Sequence, residues 1–316
     1  MRKAIRFAVQ LAGATTIANW VARVRRVEAL GYDTLLVPDH MCGDSWTIFP
    51  ALTAAAMVST RLRVGTLVAS NDFRNPVLLA RECATLDTIS AGRFELGIGA
   101  GWAVRDYRGL GIQLDAGRTR VDRLSESIAL MKRLFAEREV TFEGRHYRVQ
   151  RASLGLRRPL TLPILIAGTR RRILSLAARD ADIVAIALPP PQPYSTRVLE
   201  DGTLESARLR VGWVRAAAGD RFNKLELSMF LDVTLTDDPE CELRAMAARR
   251  HCSTATLSNC VSIVVGTLND VRERICAMNA LGFSYFCFRG PNIERLGPIV
   301  REFTSSEARG LLRDHN

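Results

Sequence analysis

Short apolar runs rich in β-branched residues alternate along this chain with longer segments whose apolar positions repeat every three or four residues. The runs are Ile5–Leu11, Thr34–Pro38, Leu62–Val68, Phe94–Ile98, Leu162–Ala167, Ile183–Leu188, Leu225–Leu235 and Phe283–Phe288. A near-continuous apolar run followed by a helical period is the mark of a βα unit, whose strand is buried on both faces of a parallel sheet. Eight such units are what a closed barrel needs, so the expected fold is α/β, a TIM-type (β/α)8 barrel with small insertions. The 316 residues then form one domain, 1–316, since such barrels run to roughly 200 to 300 residues without splitting.

The helical segments carry their own stops and starts. Ile17–Leu30 ends at Gly31, and Val77–Ile89 follows Pro76, the usual placement of glycine after a helix and proline at its start. Arg118–Phe135 has Val121, Leu124, Ile128, Met131 and Leu134 on one side. Two segments break the repeat: Glu139–Val149 around Gly144 reads as an inserted hairpin, and Pro189–Ser206 as a proline-rich loop. The stretch Cys252–Gly266 reads either as a lid or as a packed connector.

Composition narrows the function classes. No stretch reaches about 18 uncharged apolar residues, so no membrane span is expected. The N-terminal run carries Arg6 and Gln10 and reads as a first strand, not as a signal peptide. Seven scattered cysteines without a CxxC pair are expected as reduced thiols in a cytoplasmic protein, and no metal is expected from His251, Cys252, Cys241 and Cys260. The net charge is +11 with only Lys3, Lys132 and Lys224 as lysines. Its arginines are spread without a basic stripe interleaved with aromatics, so an anionic ligand is favoured over nucleic acid.

In a barrel of this kind chemistry sits just after the strands. The residues so placed include Asp39-His40, Ser70-Asn71-Asp72, Ala100-Gly101-Trp102 and Gly168-Thr169-Arg170. His40 could give or take a proton there, or Asp39-His40 could simply cap a strand. The glycines 97, 99 and 101 permit close approach of a flat ring or a phosphate, and equally permit tight strand packing. Gly168-Thr169 leads into a helix beginning near Arg170-Arg171-Arg172, where free N–H groups and guanidinium charge suit an anion; the other reading is a solvated helix face.

At these residues the sequence resembles the luciferase-like superfamily, and within it the coenzyme F420-dependent oxidoreductase branch. The resemblance rests on Leu30-Gly31-Tyr32-Asp33-Thr34-Leu35-Leu36-Val37-Pro38-Asp39-His40, on Asp72-Phe73-Arg74-Asn75-Pro76 with Ala84-Thr85-Leu86-Asp87, and on Gly92 through Trp102. It continues in Ala177 through Val184 and in Val264-Val265-Gly266-Thr267. It implies a hydride-transferring F420-dependent enzyme, with FMN and a luciferase-like monooxygenase as the alternative, and a non-catalytic flavin-binding barrel as the second. The substrate implied is a small-molecule or peptide-like organic compound with a C=C, C=N or C=O bond, and a homodimer is expected by analogy. Carried over by position, Asp39 and His40 are the candidate catalytic residues flanking the redox ring, and Leu67, Val68 and Ser70 lie behind it, with a non-proline cis peptide expected near Leu67-Val68. Ala100, Gly101 and Trp102 line the ring or ribityl region, while Gly168, Thr169, Arg170 and Arg171 meet the phosphate. Ala100 stands where several relatives have a hydroxyl residue and Trp102 where a sugar-phosphate-oxidising relative has an acid, which points away from sugar-phosphate oxidation.

Overall fold

A computed structural model describes residues 3–41, 45–155, 159–188, 201–289 and 291–304. Strands and helices alternate in the order of a (β/α)8 chain, and each of the eight apolar runs contains a strand. These strands are β1 (Arg6–Gln10), β2 (Thr34–Val37), β3 (Arg63–Thr66), β5 (Phe94–Gly99), β8 (Ile164–Gly168), β9 (Ile183–Ile186), β10 (Glu226–Leu235) and β12 (Phe283–Arg289). Four further short strands were not apparent as apolar runs of their own. They are β4 (Ala69–Ser70), the hairpin pair β6 (Val140–Glu143) and β7 (Arg148–Ala152) at the expected insertion, and β11 (Ile263–Gly266). No helix among the described residues is long and apolar enough to cross a membrane.

Two compact units make up the chain. One comprises residues 11–25 and 35–167, and holds the strand order β2-β3-β5-β8 with β4 beside β5. The pairs β3–β5, β4–β5 and β5–β8 are parallel, with Val64 opposite Phe94, Ser70 opposite Gly99 and Ile98 opposite Ile166. Strands β2 and β5 are buried at every residue, as a sheet covered on both faces requires. Helices α2 (Ile48–Val58), α3 (Pro76–Ile89), α4 (Val104–Leu110) and α5 (Gly117–Ala136) belong to it. Helix α3 starts where Asn75 accepts a hydrogen bond from the Val77 amide and Pro76 opens the first turn. Trp20, on α1 (Ile17–Ala29), is fully buried and donates through Nε1 to the Ala51 carbonyl at 3.2 Å.

The other unit comprises residues 1–10, 26–34 and 168–316. Its order is β11-β10-β12-β1, with β9 also on β10. The ten-residue β10 takes β9 beside Glu226–Ser228 and β11 beside Asp232–Leu235, so one long strand serves two successive neighbours. Phe7 stacks on Phe288 at 5.6 Å in its core. The expected loop at 189–206 ends at Thr203, not Ser206. The Thr203 hydroxyl caps the Ser206 amide and starts helix α7 at Leu204 (Leu204–Ala218), after α6 (Arg171–Asp180). Positions 189–200 lie outside the described residues.

The Cys252–Gly266 stretch is a packed connector. After α8 (Pro239–Arg250) it forms a five-residue helix α9 (Thr254–Ser258). Leu257, Cys260 and Ile263 are buried against Met246 and Ala247. Arg274, on α10 (Leu268–Ala280), donates to the carbonyls of Cys260 and Ile263 at 3.1 and 3.3 Å, which ties the connector down from its other side.

Candidate active site

Strands β2, β3 and β5 follow one another in one unit with β4 beside β5, and the residues after β2, β4 and β5 meet. Asp39 follows Pro38 at the end of β2, with its side chain almost wholly buried. It accepts the Ser70 amide at 3.0 Å and a two-pronged ion pair from Arg74, whose Nη1 and Nη2 stand 2.5 and 3.2 Å away. Bidentate pairing of this kind fixes both partners in orientation as well as charge. Asp39 thus joins the end of β2 to the end of β4 and to the turn that starts α3. Arg74 also approaches Glu82 at 3.7 Å. Burial pushes the Glu82 carboxyl up, which Arg74 opposes and Asp39 reinforces.

His40 is held by a different acid. Its Nδ1 lies 2.7 Å from Asp106 Oδ2, and the next amide, Met41 N, donates to Asp106 Oδ1 at 3.1 Å. The Asp106 side chain is 3% exposed and the His40 side chain 34%. The imidazole therefore has one nitrogen inside the protein and a face open. Its ring meets Trp102 edge-on, with centroids 5.7 Å apart at 85°. Trp102 is 50% exposed, and Met41 and Val104, close in sequence to His40 and Trp102, are 51 and 48% exposed.

The segment carrying Trp102 is pinned from beneath. Gly101 has φ of +74°, and a Cβ there would come within 2.9 Å of Tyr107 Cζ and 3.0 Å of Ser70 Oγ, so only glycine fits the turn. The Tyr107 hydroxyl donates to Asp72 at 2.8 Å, and Arg123 grips the same carboxylate at 2.8 and 2.9 Å. Burial first, then the hydrogen bond and charge of Asp72, push the Tyr107 phenol up to about 12. Arg120 donates to the Gly101 carbonyl and to the Asp115 carbonyl at 2.9 Å. Beside this network lies a cleft of about 460 Å³, lined among others by Asn71, Asp72, Arg74, Arg123 and Tyr147.

The peptide Leu67-Val68 is cis and not before proline, as expected. Leu67 N donates to the Val37 carbonyl at 2.9 Å, and Val68 Cγ2 stands 2.9 Å from where a Gly99 Cβ would be. Leu67, Ser70 and Ala100 are buried. Asp39, His40, Leu67, Val68, Ser70, Ala100, Gly101 and Trp102 all belong to this unit.

Gly168, Thr169, Arg170 and Arg171 belong to the other. Arg170 is the N-cap of α6 and makes no side-chain cap, leaving the first amides of that helix without a capping side chain. The Thr169 hydroxyl donates to the Ala187 carbonyl at 2.9 Å. The Thr169 carbonyl accepts from Arg210 Nε at 3.1 Å, and Arg210, buried at 2% exposure, also pairs with Asp201 at 2.8 Å. The Arg170 side chain is 83% exposed and reaches only 3.9 Å from Asp201.

Sequence reasoning passed over Asp106, Tyr107, Arg120, Arg123 and Arg210. Asp106 and Tyr107 did carry a signal, since they stand on the first turns of a helix that directly follows the glycine-rich strand end. The arginines were obscured by the many others.

A family model described as luciferase-like monooxygenase matches residues 4–256. The chain belongs to the luciferase-like monooxygenase family. Among curated relatives of this luciferase-like protein, the F420-dependent glucose-6-phosphate dehydrogenase of Intrasporangium calvum is 30% identical over 198 residues. These are 58% of this chain and 59% of the relative, so the match spans well under two thirds of that enzyme. Among solved structures, an F420-dependent secondary alcohol dehydrogenase in complex with an F420-acetone adduct aligns with a TM-score of 0.78 at 17% identity, over 97% of this chain and all of that one. A monooxygenase from Streptomyces bottropensis aligns with a TM-score of 0.72 at 20% identity, over 99% of this chain and all of that one. These two likenesses establish the fold, a TIM-type barrel of the luciferase-like kind.

Proposed function

We propose that this luciferase-like protein is a coenzyme F420-dependent oxidoreductase, working as a reductase on a small organic substrate with a C=C, C=N or C=O bond. The observation that carries the reading is the half-exposed Trp102 indole set edge-on to the His40 imidazole, with Met41 and Val104, close to them in sequence, also half exposed. Apolar surface left open beside a titratable group marks a ligand site. A flat ring can cover an indole and a thioether above a glycine segment that offers no side chain to displace. The F420 dependence in the name of the Intrasporangium calvum relative supports the choice of cofactor.

The residues present fit such a group. Leu67, Val68, Ser70, Ala100, Gly101 and Trp102 would hold the ring, with Gly101 giving backbone access and Trp102 excluding water from one side. Gly168, Thr169, Arg170 and Arg171 would hold the phosphate through the uncapped amides of α6 and guanidinium charge. When bound, the deazaflavin supplies a carbon that gives or takes a hydride. His40 orients the substrate and carries the proton that accompanies the hydride; the rest of the site aligns the reacting carbons at about 3 to 3.5 Å. Trp102 favours an apolar or planar substrate over a sugar phosphate. The cytoplasm and a homodimer belong to the same reading on the resemblance alone, and light scattering tests the dimer.

The alternative, an FMN-dependent monooxygenase, is favoured by the likeness to the Streptomyces bottropensis enzyme. Titration of F420 and of FMN, followed by quenching of tryptophan fluorescence, separates the two. Saturable quenching by F420 that is lost in Trp102→Phe supports the proposal. Quenching by FMN alone replaces it with the monooxygenase reading, and quenching by neither leaves a barrel without a flavin.

A further inference from the structure

Two buried carboxylates, Asp39 and Asp106, stand at the end of β2, and their hydrogen bonds differ in kind. Asp39 spends both oxygens on fixed donors, the Arg74 guanidinium and the Ser70 amide. Asp106 spends one on the Met41 amide and the other on His40 Nδ1. Among the described residues His40 Nε2 has no hydrogen-bond partner, and the side chain, edge-on to Trp102, is 34% exposed.

We infer that Asp106 is the positioning residue for His40, and that Asp39 holds the strand ends without taking part in proton transfer. This deepens the function proposed above and rests on it only for the identity of the reaction. An ionised carboxylate can only accept, so Nδ1 must carry the proton it shares with Asp106. The neutral imidazole is then the tautomer with its lone pair on Nε2, aimed away from the protein interior. In the oxidising direction Nε2 takes the proton of a substrate hydroxyl, the O–H electron pair stays on oxygen, and the imidazolium is stabilised by the Asp106 charge. In the reducing direction Nε2–H returns that proton to the oxygen as the carbonyl is reduced.

The Met41 amide makes the idea testable. Asparagine at position 106 has one acceptor oxygen in place of two. If that oxygen faced His40, its NH2 would confront the Met41 N–H, donor against donor. The oxygen therefore turns to Met41 and the NH2 to Nδ1, which can accept only in the opposite tautomer. Asp106→Asn should move the proton from Nδ1 to Nε2, while Asp39→Asn should leave the tautomer as it is.

The test is nitrogen-15 NMR of the histidine side chains in the unliganded full-length protein, at alkaline pH where imidazole is neutral. With four histidines in the chain, the His40 signals are those missing from His40→Gln. Wild type with the proton on Nδ1, and Asp106→Asn with it on Nε2, is the expected result. Wild type with the proton on Nε2 overturns the inference without any variant, so a failure of Asp106→Asn to fold does not protect it. Retention of Nδ1–H in a folded Asp106→Asn, or a tautomer change in Asp39→Asn, overturns it as well. With the cofactor identified by titration, Asp106→Asn should lower kcat about 10²-fold, the low end for losing general acid–base help, with little change in KM. Because the NMR needs no cofactor, absence of F420 binding would sink the proposed function and leave this inference standing.

Discussion

Replacing Gly101 by alanine is a sharp test of how the Trp102 segment is held. The backbone there has φ of +74°, a region that costs a side-chain-bearing residue about 1 to 2 kcal/mol. The new Cβ would stand 2.9 Å from Tyr107 Cζ and closer still to the hydroxyl. Tyr107 must then move, and its 2.8 Å bond to Asp72 is lost. A hydrogen bond to an ionised partner is worth about 1.5 to 3 kcal/mol, so the expected loss is about 3 to 5 kcal/mol. For a chain of this size that is a fall in Tm of roughly 4 to 8 °C by scanning calorimetry. The clash can be separated from the backbone cost by adding Tyr107→Phe, which removes the nearest atom. Gly101→Ala and Tyr107→Phe should then cost less together than the sum of the two alone, since they act on one contact. A loss under about 1 kcal/mol for Gly101→Ala, or strict additivity, would refute the steric argument.

His40→Ala should lower turnover roughly 10²-fold or more with the fold intact; an unchanged kcat on an authentic substrate would make His40 structural. Replacing Arg170 and Arg171 together by alanine should weaken F420 binding by about 1 to 3 kcal/mol, FMN binding by less, and more so at low salt; isothermal titration reads all of these, and no loss for either cofactor would return both arginines to the solvated helix face. Tyr107 has its phenol raised to about 12 in the folded protein, against about 10 in an unfolded chain. The folded state therefore keeps a proton that the unfolded state has lost, so this contribution is whole below about pH 10 and disappears as pH rises toward 12. Urea unfolding across that window should show a steeper alkaline decline for wild type than for Tyr107→Phe.

The strands were legible because burial on both faces of a parallel sheet leaves a short apolar run rich in β-branched residues. Strand β4, with two residues, is too short to have a pattern, and β11 is hidden in a connector whose packing depends on Leu257 and Cys260 meeting helix α8 from a distance in sequence. The same contrast holds at the site. Asp39 and His40 could be found because they directly follow a strand. Asp106 lies 66 positions from His40, and only the folded chain brings the two together. Arg74 and Arg123 are ordinary members of an arginine-rich sequence until Asp39 and Asp72 select them. The register of the loop after Gly99 was readable from its glycines, whereas the reason for Gly101 in particular is a phenol six residues further on.

The tip of the inserted hairpin is held to helix α5 through one carboxylate, while Arg133 of the same helix donates to the Thr141 carbonyl on β6 at 2.9 Å. Glu126, on α5, accepts the amides of Arg145, His146 and Tyr147 at 3.1, 2.7 and 3.3 Å, so a single carboxylate satisfies the backbone of the hairpin tip. Tyr147 in turn reaches Asn71 at 3.2 Å, beside the cleft that contains Asp72 and Arg74. Residues on the outer faces of β6 and β7 are free to drift through evolution, because the anchorage reads main chain and not side chains. A protein engineer could graft a longer or differently charged hairpin onto these strands and keep Glu126 and Tyr147 as the fixed points. The insertion would then act as an interchangeable wall for the cleft, altering what it admits while the histidine and its carboxylate stay where they are.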